Sequence, residues 1–414
     1  MLGRFLSDFV REGRLTVIWP DGRTNIYGDG GKKAALRFHG ALTPLQIWRR
    51  PELVLGEAYM DGRVTVERGT IADVLEILMS NYEQYRVGNW YRLRRAIRIL
   101  FRRFSQLNRI SRARKNVAHH YDLSGKLYDL FLDADRQYSC AYFSDSRVTL
   151  EEAQSAKKRH IASKLRLDRP GLKVLDIGCG WGGLALDLAR REEADVLGIT
   201  LSTEQLAMAK DRADAAELSQ RCRFALRDYR QVEGTFDRIV SVGMFEHVGA
   251  HYFDAFFTKM RELLATDGVA LLHFIGRADG PSATNPWIAK YIFPGGYTPA
   301  LSEVMRSVER CELIATDIEI LRLHYAETLK EWRNRFCRNW DKAAALYDER
   351  FCRMWEFYLA SSEMTFRYGN QVVYQIQLAK RVDTVPVTRD YMFDAERAMR
   401  SRQGLPGRRK PEAA

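Results

Sequence analysis

With 414 residues, 46% of them hydrophobic and 29% charged, the chain is long enough for two or three cores, and no apolar run approaches the about 20 residues of a bilayer span. Six cysteines without paired metal spacing argue against a metal centre and for reduced thiols in a cytosolic protein. A formal net charge of +12 calls for an acidic partner, either nucleic acid or an anionic membrane. Charge interrupts the first ten residues too early for a secretory signal. Residues 1–88 alternate strand-like runs at 15–19, 35–38 and 63–67 with helical segments, the clearest at 71–85. Turn chemistry at Pro20-Asp21-Gly22 and Gly28-Asp29-Gly30-Gly31 separates them. This pattern predicts a small α/β domain. A linker follows at 89–115, and within it residues 92–115 hold ten basic side chains and no acid. Leu93, Ile97, Leu100, Phe101, Phe104 and Leu107 recur there at helical spacing, with Arg94, Arg95, Arg98, Arg102 and Arg103 largely opposite. Such a helix can lie in a headgroup layer or dock its apolar stripe on the protein's own core.

The region 116–387 carries the sharpest punctuation. The apolar run Val174-Leu175-Asp176-Ile177 breaks into Gly178-Cys179-Gly180-Trp181-Gly182-Gly183, which predicts a buried strand delivering a tight turn to a helix N-terminus. Its spacing, Asp-x-Gly-x-Gly, is not the Gly-x-Gly-x-x-Gly that cradles a pyrophosphate. An acid inside the turn favours an adenosine ligand without phosphate, and S-adenosylmethionine fits; a structural strand-to-helix connection would use the same residues. Residues 194–202 read as a second buried strand and 203–217 as a helix, with further strands at 222–229, 236–243 and 268–275. The alternation predicts an α/β fold with a parallel sheet and ligands at the carboxyl ends of its strands, where Gly178, Gly180, Thr200, Asp228, Glu246 and His273 fall. Between the fifth strand and the last sheet elements, residues 286–297 are aromatic and apolar, and 332–366 adds two aromatic helices. They suit the walls of an elongated apolar pocket or plain helix packing. The last strands are expected at 319–323 and 372–378. Residues 388–414 read as an extension, with disorder from 401.

Five motifs then carry a family resemblance: His119-His120-Tyr121-Asp122-Leu123, Gln137-Tyr138-Ser139-Cys140-Ala141-Tyr142-Phe143, Met244-Phe245-Glu246-His247-Val248-Gly249, Leu272-His273-Phe274-Ile275 and Tyr291-Ile292-Phe293-Pro294-Gly295-Gly296. Their order, across roughly 116–381, resembles the cyclopropane-fatty-acyl-phospholipid synthases and their mycolic acid relatives. The resemblance implies a Rossmann-like class I methyltransferase domain, with a seven-stranded, mostly parallel sheet and a helical lipid-binding insert. The small α/β domain before it would be an accessory, lipid-binding one.

By the same resemblance, Asp176, Gly178, Cys179 and Gly180 frame the cofactor's methionine and sugar, and Thr200 and Gln205 take the place of an acid against the ribose. Asp228 and Tyr229 complete that site. Taken alone, the stretch around Thr200 is also an ordinary N-cap region, with Ser202 or Thr203 capping. Tyr138 and Ser139 match a cofactor-contacting pair and imply a lid that keeps water from the reacting groups. The implied reaction methylates a cis double bond of a phospholipid acyl chain, and a bound bicarbonate then removes a proton to close a cyclopropane. Cys140, Glu246, His273 and Tyr325 match its holders, with backbone help near Ile275. Glu246 beside an anion predicts a pKa raised by burial and like charge. Taken singly, Cys140 and His273 read as buried core residues, and His247, adjacent to Glu246, is given no catalytic part. The alternative product is methyl-branched or methylated and unsaturated. Expected partners are unsaturated phospholipids and the anionic inner face of the membrane, where the protein would sit peripherally, and a homodimer stays open. Nucleic acid is disfavoured, because no Asn/Asp-Pro-Pro-Tyr/Phe motif occurs and the basic residues lie on an amphipathic helix without aromatic stacking platforms.

Overall fold

The computed structural model describes residues 2–40, 51–82, 124–145 and 147–402, so the basic segment 92–115, the His119-His120 motif and the residues beyond 402 lie outside it. The first unit contains α1 (Leu2–Phe9), β1 (Arg14–Ile18), β2 (Thr24–Tyr27), β3 (Lys33–Phe38), α2 (Pro51–Met60), β4 (Val64–Arg68) and α3 (Ile71–Ser80). Its sheet has the order β2-β1-β3-β4. The sequence does not announce β2, because this edge strand exposes its first three residues and has no apolar alternation to read. A reciprocal cap between Thr70 and Asp73 starts α3. The helix stops at Ser80, short of residue 85. There the buried Asn81 donates to the carbonyl of Ile77 at 2.7 Å and accepts from the amides of Arg11 and Glu12 at 2.8 and 2.9 Å.

After α4 (Gly125–Tyr128) and α5 (Leu150–Leu165), the second sheet begins with β5 (Lys173–Ile177), α6 (Gly183–Arg191), β6 (Asp195–Thr200), α7 (Thr203–Ala215), β7 (Cys222–Leu226), β8 (Phe236–Val242), α8 (Phe253–Leu263) and β9 (Leu264–Arg277). It continues through α9 (Pro286–Tyr291), α10 (Leu301–Arg310), β10 (Ile314–Leu321), α11 (His324–Arg338), α12 (Trp340–Leu346), α13 (Glu349–Tyr368), β11 (Gln371–Ala379) and α14 (Asp390–Arg402). The strand order is β10-β11-β9-β8-β5-β6-β7, and β11 alone runs against its neighbours. The class I methyltransferase architecture is therefore present. The chain leaves β5 toward β6 and β7, then returns to build β8 and β9 on the other side. That reversal opens a crevice at the carboxyl ends of β5 and β8. Among the described residues no helix is long and apolar enough to cross a membrane.

Three local expectations need correction. The fifth strand begins at Leu264, upstream of residue 268, since β9 follows α8 without a loop. The stretch 332–366 holds parts of three helices, because α11 already starts at His324 and Asn339 ends it. The expected disorder from 401 is contradicted at its start, because α14 runs to Arg402 with Met392 and Met399 buried and Glu396 beside His160 at 3.4 Å.

The first unit does not stand apart. Its α2 and α3 pack on α13, and α2 also meets α9. At the crossing Gly56 lies so close to Trp287 that a Cβ there would overlap the indole. Tyr59 donates to Glu356 at 2.5 Å, and Arg350 pairs with Asp61 at 2.9 Å. A single apolar core consequently runs from this unit through the helical insert to residues 127–153.

Candidate active site

The polypeptide between α4 and α5 forms a strap across the crevice, and its polar anchors come from α5 and α11. Gln154 donates to the carbonyls of Gln137 and Ser139 at 3.2 and 3.0 Å. Thr328 accepts the amide of Ala141 at 3.0 Å, and His324 Nδ1 that of Phe143 at 2.9 Å. Tyr142 is stacked between His160 and His324, with ring centroids 4.2 and 4.8 Å away. Gly183, at the start of α6, makes room for the strap, for a Cβ there would lie 2.7 Å from the Asp135 carboxylate.

Under the strap lies a cleft lined by all ten expected cofactor residues: Tyr138, Ser139, Asp176, Gly178, Cys179, Gly180, Thr200, Gln205, Asp228 and Tyr229. Gly178 has φ +84° and a Cβ there would lie 2.8 Å from Met244 Cβ; Gly180 has φ +56°, but its Cβ would enter open space. The first glycine thus serves packing as well as the turn, while the second keeps the cleft clear. Asp176 is buried, its Oδ2 has no hydrogen-bond partner among the described residues, and burial pushes its carboxyl up to about 7. An orphaned acceptor beside bare backbone fits a ligand that brings its own donors. Thr200 Oγ1 donates to Gln205 Oε1 at 2.8 Å, and Ser202 caps α7 by accepting the Gln205 amide at 3.2 Å. The capping reading of this stretch therefore holds, and Thr200 and Gln205 also line the cleft. Asp228 lines the cleft with a partner of its own. Its carboxylate is taken by Arg230 Nε and Nη2, both at 2.7 Å, so it fixes Arg230 at the cleft wall.

A second chamber adjoins the cleft, and Tyr138, Ser139, Gly243 and His247 line both. Cys140, Glu246, His273, Ile275 and Tyr325, far apart in sequence, meet in this chamber. Glu246 sits on the turn Phe245–His247 after β8, fixed by Phe245 stacking on Phe253 at 4.5 Å. Its Oε1 accepts the amide of Ile275 at 2.6 Å, and its Oε2 is shielded without a partner among the described residues. Burial pushes this carboxyl up to about 7. Burial is what raises it, and the Ile275 amide is engaged with Glu246. His273 lies opposite Gln375 across β9 and β11, and Nδ1 meets the Gln375 amide at 3.1 Å. Burial holds its imidazole neutral, well below the ordinary histidine range. With Nδ1 accepting, Nε2–H is the donor. Tyr325 is buried between Trp332 and Phe366. Burial also raises the Cys140 thiol, which donates to the carbonyl of Ala141 at 3.3 Å, so this side chain supplies an uncharged wall. Glu246 in its protonated form, a neutral His273 and the Tyr325 phenol make a donor set suited to a small oxyanion.

The apolar lining comes from Ile288, Phe293 and Tyr297, within the expected segment, and from Val373. The stretch 332–366 stands behind the chamber, where Tyr358 meets the Tyr138 hydroxyl at 3.0 Å. Two residues escape the sequence reading. His247 lines both cavities, and burial pushes its imidazole down to about 4. Lys157 is fully buried under the strap, and its ammonium donates to Gln137 Oε1 at 2.5 Å and Ser139 Oγ at 2.9 Å.

Comparison with known proteins places the chain in a family. A family profile described as mycolic acid cyclopropane synthetase matches residues 108–376, and a domain of unknown function matches 4–87. The chain is 36% identical over 363 residues to the cyclopropane-fatty-acyl-phospholipid synthase of Escherichia coli K12, covering 87% of this chain and 92% of that protein. It is 37% identical over 380 residues to the tuberculostearic acid methyltransferase UfaA1 of Mycobacterium tuberculosis H37Rv, covering 88% of each. A crystal structure of the mycolic acid cyclopropane synthase CmaA1 complexed with SAH and CTAB is similar at 35% identity and a TM-score of 0.61. That match covers 64% of this chain and 97% of the other.

Proposed function

The chain belongs to the mycolic acid cyclopropane synthetase family and is an S-adenosylmethionine-dependent methyltransferase, and we propose that it is a cyclopropane-fatty-acyl-phospholipid synthase. The observation that carries this reading is the junction of two cavities at Tyr138, Ser139, Gly243 and His247. A methyl donor in the glycine-lined cleft would face an alkene in the apolar chamber. The cleft fits the donor, since Gly180 leaves space and Asp176 offers an unpartnered acceptor. An alkene is a poor nucleophile, so alignment and dryness are what the protein must supply. The methyl bonds to one alkene carbon, the carbon–sulfur bond breaks toward sulfur, and the other alkene carbon is left cationic. Loss of a proton from the new methyl closes the ring, adding one CH2 overall.

The chamber residues Glu246, His273 and Tyr325 fit a bicarbonate, held by their donors beside the orphaned Glu246 Oε2. When bound there it would accept the ring-closing proton without becoming irreversibly alkylated. Ile275 orients Glu246, and Cys140 and Phe293 keep the surroundings dry. We further infer that residues 1–88 form an accessory lipid-binding domain ahead of a catalytic domain at 116–387, and that the basic linker 89–115 holds the enzyme peripherally on anionic membrane. The E. coli relative supports the cyclopropane product, and the UfaA1 relative favours a methylated alternative. Expression in a host without cyclopropane lipids, followed by mass spectrometry of its fatty acids, decides between them. Gain of one CH2 with loss of the alkene is expected. A methylated chain that keeps its double bond would establish the alternative, and unchanged lipids from a folded, cofactor-binding protein would overturn both.

A further inference from the structure

We propose that Lys157 is a positioning residue for the amino-acid end of the methyl donor, acting through Ser139. The inference rests on the cofactor assignment of the cleft. Ser139 lines both the glycine-turn cleft assigned to the donor and the chamber that its sulfonium would face, so the proposal places the amino-acid end attached to that sulfonium against Ser139.

An ammonium only donates hydrogen bonds. Since Lys157 Nζ donates to Ser139 Oγ at 2.9 Å, the serine oxygen is the acceptor there, and its own hydrogen remains to be given to an acceptor in the cavities it lines. The same constraint fixes Gln137. Its Oε1 accepts from Lys157 at 2.5 Å, so its Nε2 donates to the Asp135 carboxylate at 3.0 Å. One buried cation thus sets the polarity of two strap residues, and it turns Ser139 into a donor suited to a carboxylate.

The groups around Lys157 come from each neighbouring element: Lys158 on its own helix, Asp133, Asp135 and Cys140 on the strap, Asp176 on β5 and His273 on β9. Burial outweighs the acids and pulls the Lys157 ammonium down to about 8. Above that region the neutral amine carries a lone pair that can accept from Ser139, so the polarity of this hydrogen bond is no longer fixed by a cation.

Calorimetric titration of the full chain with S-adenosylhomocysteine and with 5′-methylthioadenosine, which lacks the amino-acid end, tests this without any lipid. Failure of the lipid assay and failure of this proposal therefore remain distinct. Lys157→Met should weaken S-adenosylhomocysteine about tenfold or more and leave methylthioadenosine within about twofold. In a Ser139→Ala background the same substitution should change little, because the two act as one unit. Equal weakening of both ligands, or additive effects of the two substitutions, would overturn the proposal. Should Lys157→Met not fold, the parent protein decides. Its preference for S-adenosylhomocysteine over methylthioadenosine should fall through about pH 8, and that step should be absent in Ser139→Ala. A parent preference without that step, or one that Ser139→Ala retains, would count against Lys157.

Discussion

Glu246→Gln is the sharpest perturbation of the chamber, because it keeps the shape and removes only the titration. In the folded chain this carboxyl loses its proton at about 7, against 4.5 for an ordinary glutamate, and burial is the largest cause. Between those values the folded state holds a proton that the unfolded state has released. The stability associated with that proton is complete below pH 4.5 and is lost as pH rises to about 7. At about 1.36 kcal/mol per pKa unit, the loss amounts to about 3 kcal/mol. The substituted amide would still accept the Ile275 N–H and would never ionise. The variant and the parent should therefore be about equally stable at pH 4.5, and the variant should be more stable by about 3 kcal/mol at about pH 8. Urea unfolding of the cofactor-free proteins across this range measures the difference. Asp176 also titrates near 7, but it is common to both proteins and cancels. Turnover should move the other way, falling about two to four powers of ten while S-adenosylhomocysteine still binds. A stability difference that is flat with pH would refute the burial argument, and normal ring yield would remove Glu246 from the chemistry.

Gly180→Ala should cost about 1 kcal/mol for its left-handed backbone and, by placing a methyl in the cleft, weaken S-adenosylmethionine at least about tenfold, the equivalent of one good contact; unchanged affinity in a calorimeter would clear this turn. Gly56→Leu should overpack the crossing with Trp287 and Phe357 and lower stability by about 1–3 kcal/mol in a thermal melt. Because Trp287 leads through α9 to Phe293, this variant should also raise KM for lipid; a loss of stability with KM unchanged would separate the two effects. Replacing Arg94, Arg95, Arg98, Arg102 and Arg103 by glutamine should weaken sedimentation with anionic vesicles by about 1 kcal/mol per charge near the surface. Equal sedimentation of variant and parent would show that the linker has no such role.

The parts of the site that can be read in advance are those whose chemistry is local. A strand, an acid and three spaced glycines announce the cleft, since a left-handed turn and a close approach each leave a glycine behind. The chamber is different in kind. Cys140, Glu246, His273 and Tyr325 come from a strap, a 3₁₀ turn, a strand and a helix, and nothing in their spacing brings them together; only the resemblance names them as a set. Sequence reasoning passes over His247 because adjacent residues usually diverge. The tight turn Phe245–His247 sits at the junction of the cavities, so both neighbours reach lining positions.

Lys157 marks the limit most clearly. The segment Leu150–Leu165 goes unread in the sequence, and it carries glutamates, lysines and an arginine rather than an apolar stripe. In the fold it is covered on nearly every side, from Ala156 through Leu165 without interruption. Its burial is repaid by partners rather than by hydrophobicity. Lys158 reaches Asp135 at 2.7 Å and Asp187 at 3.4 Å, and Lys164 and His160 share Glu319 at 2.5 and 2.6 Å. A sequence pattern reports whether a face is apolar, whereas this helix is defined by which charges meet it from the strap, α6, β10 and α14. Charges held in that way resist removal one at a time, because the partner left behind stays buried. A polar helix packed at the base of the strap is accordingly where substitutions at a distance from the reacting atoms should change cofactor binding most.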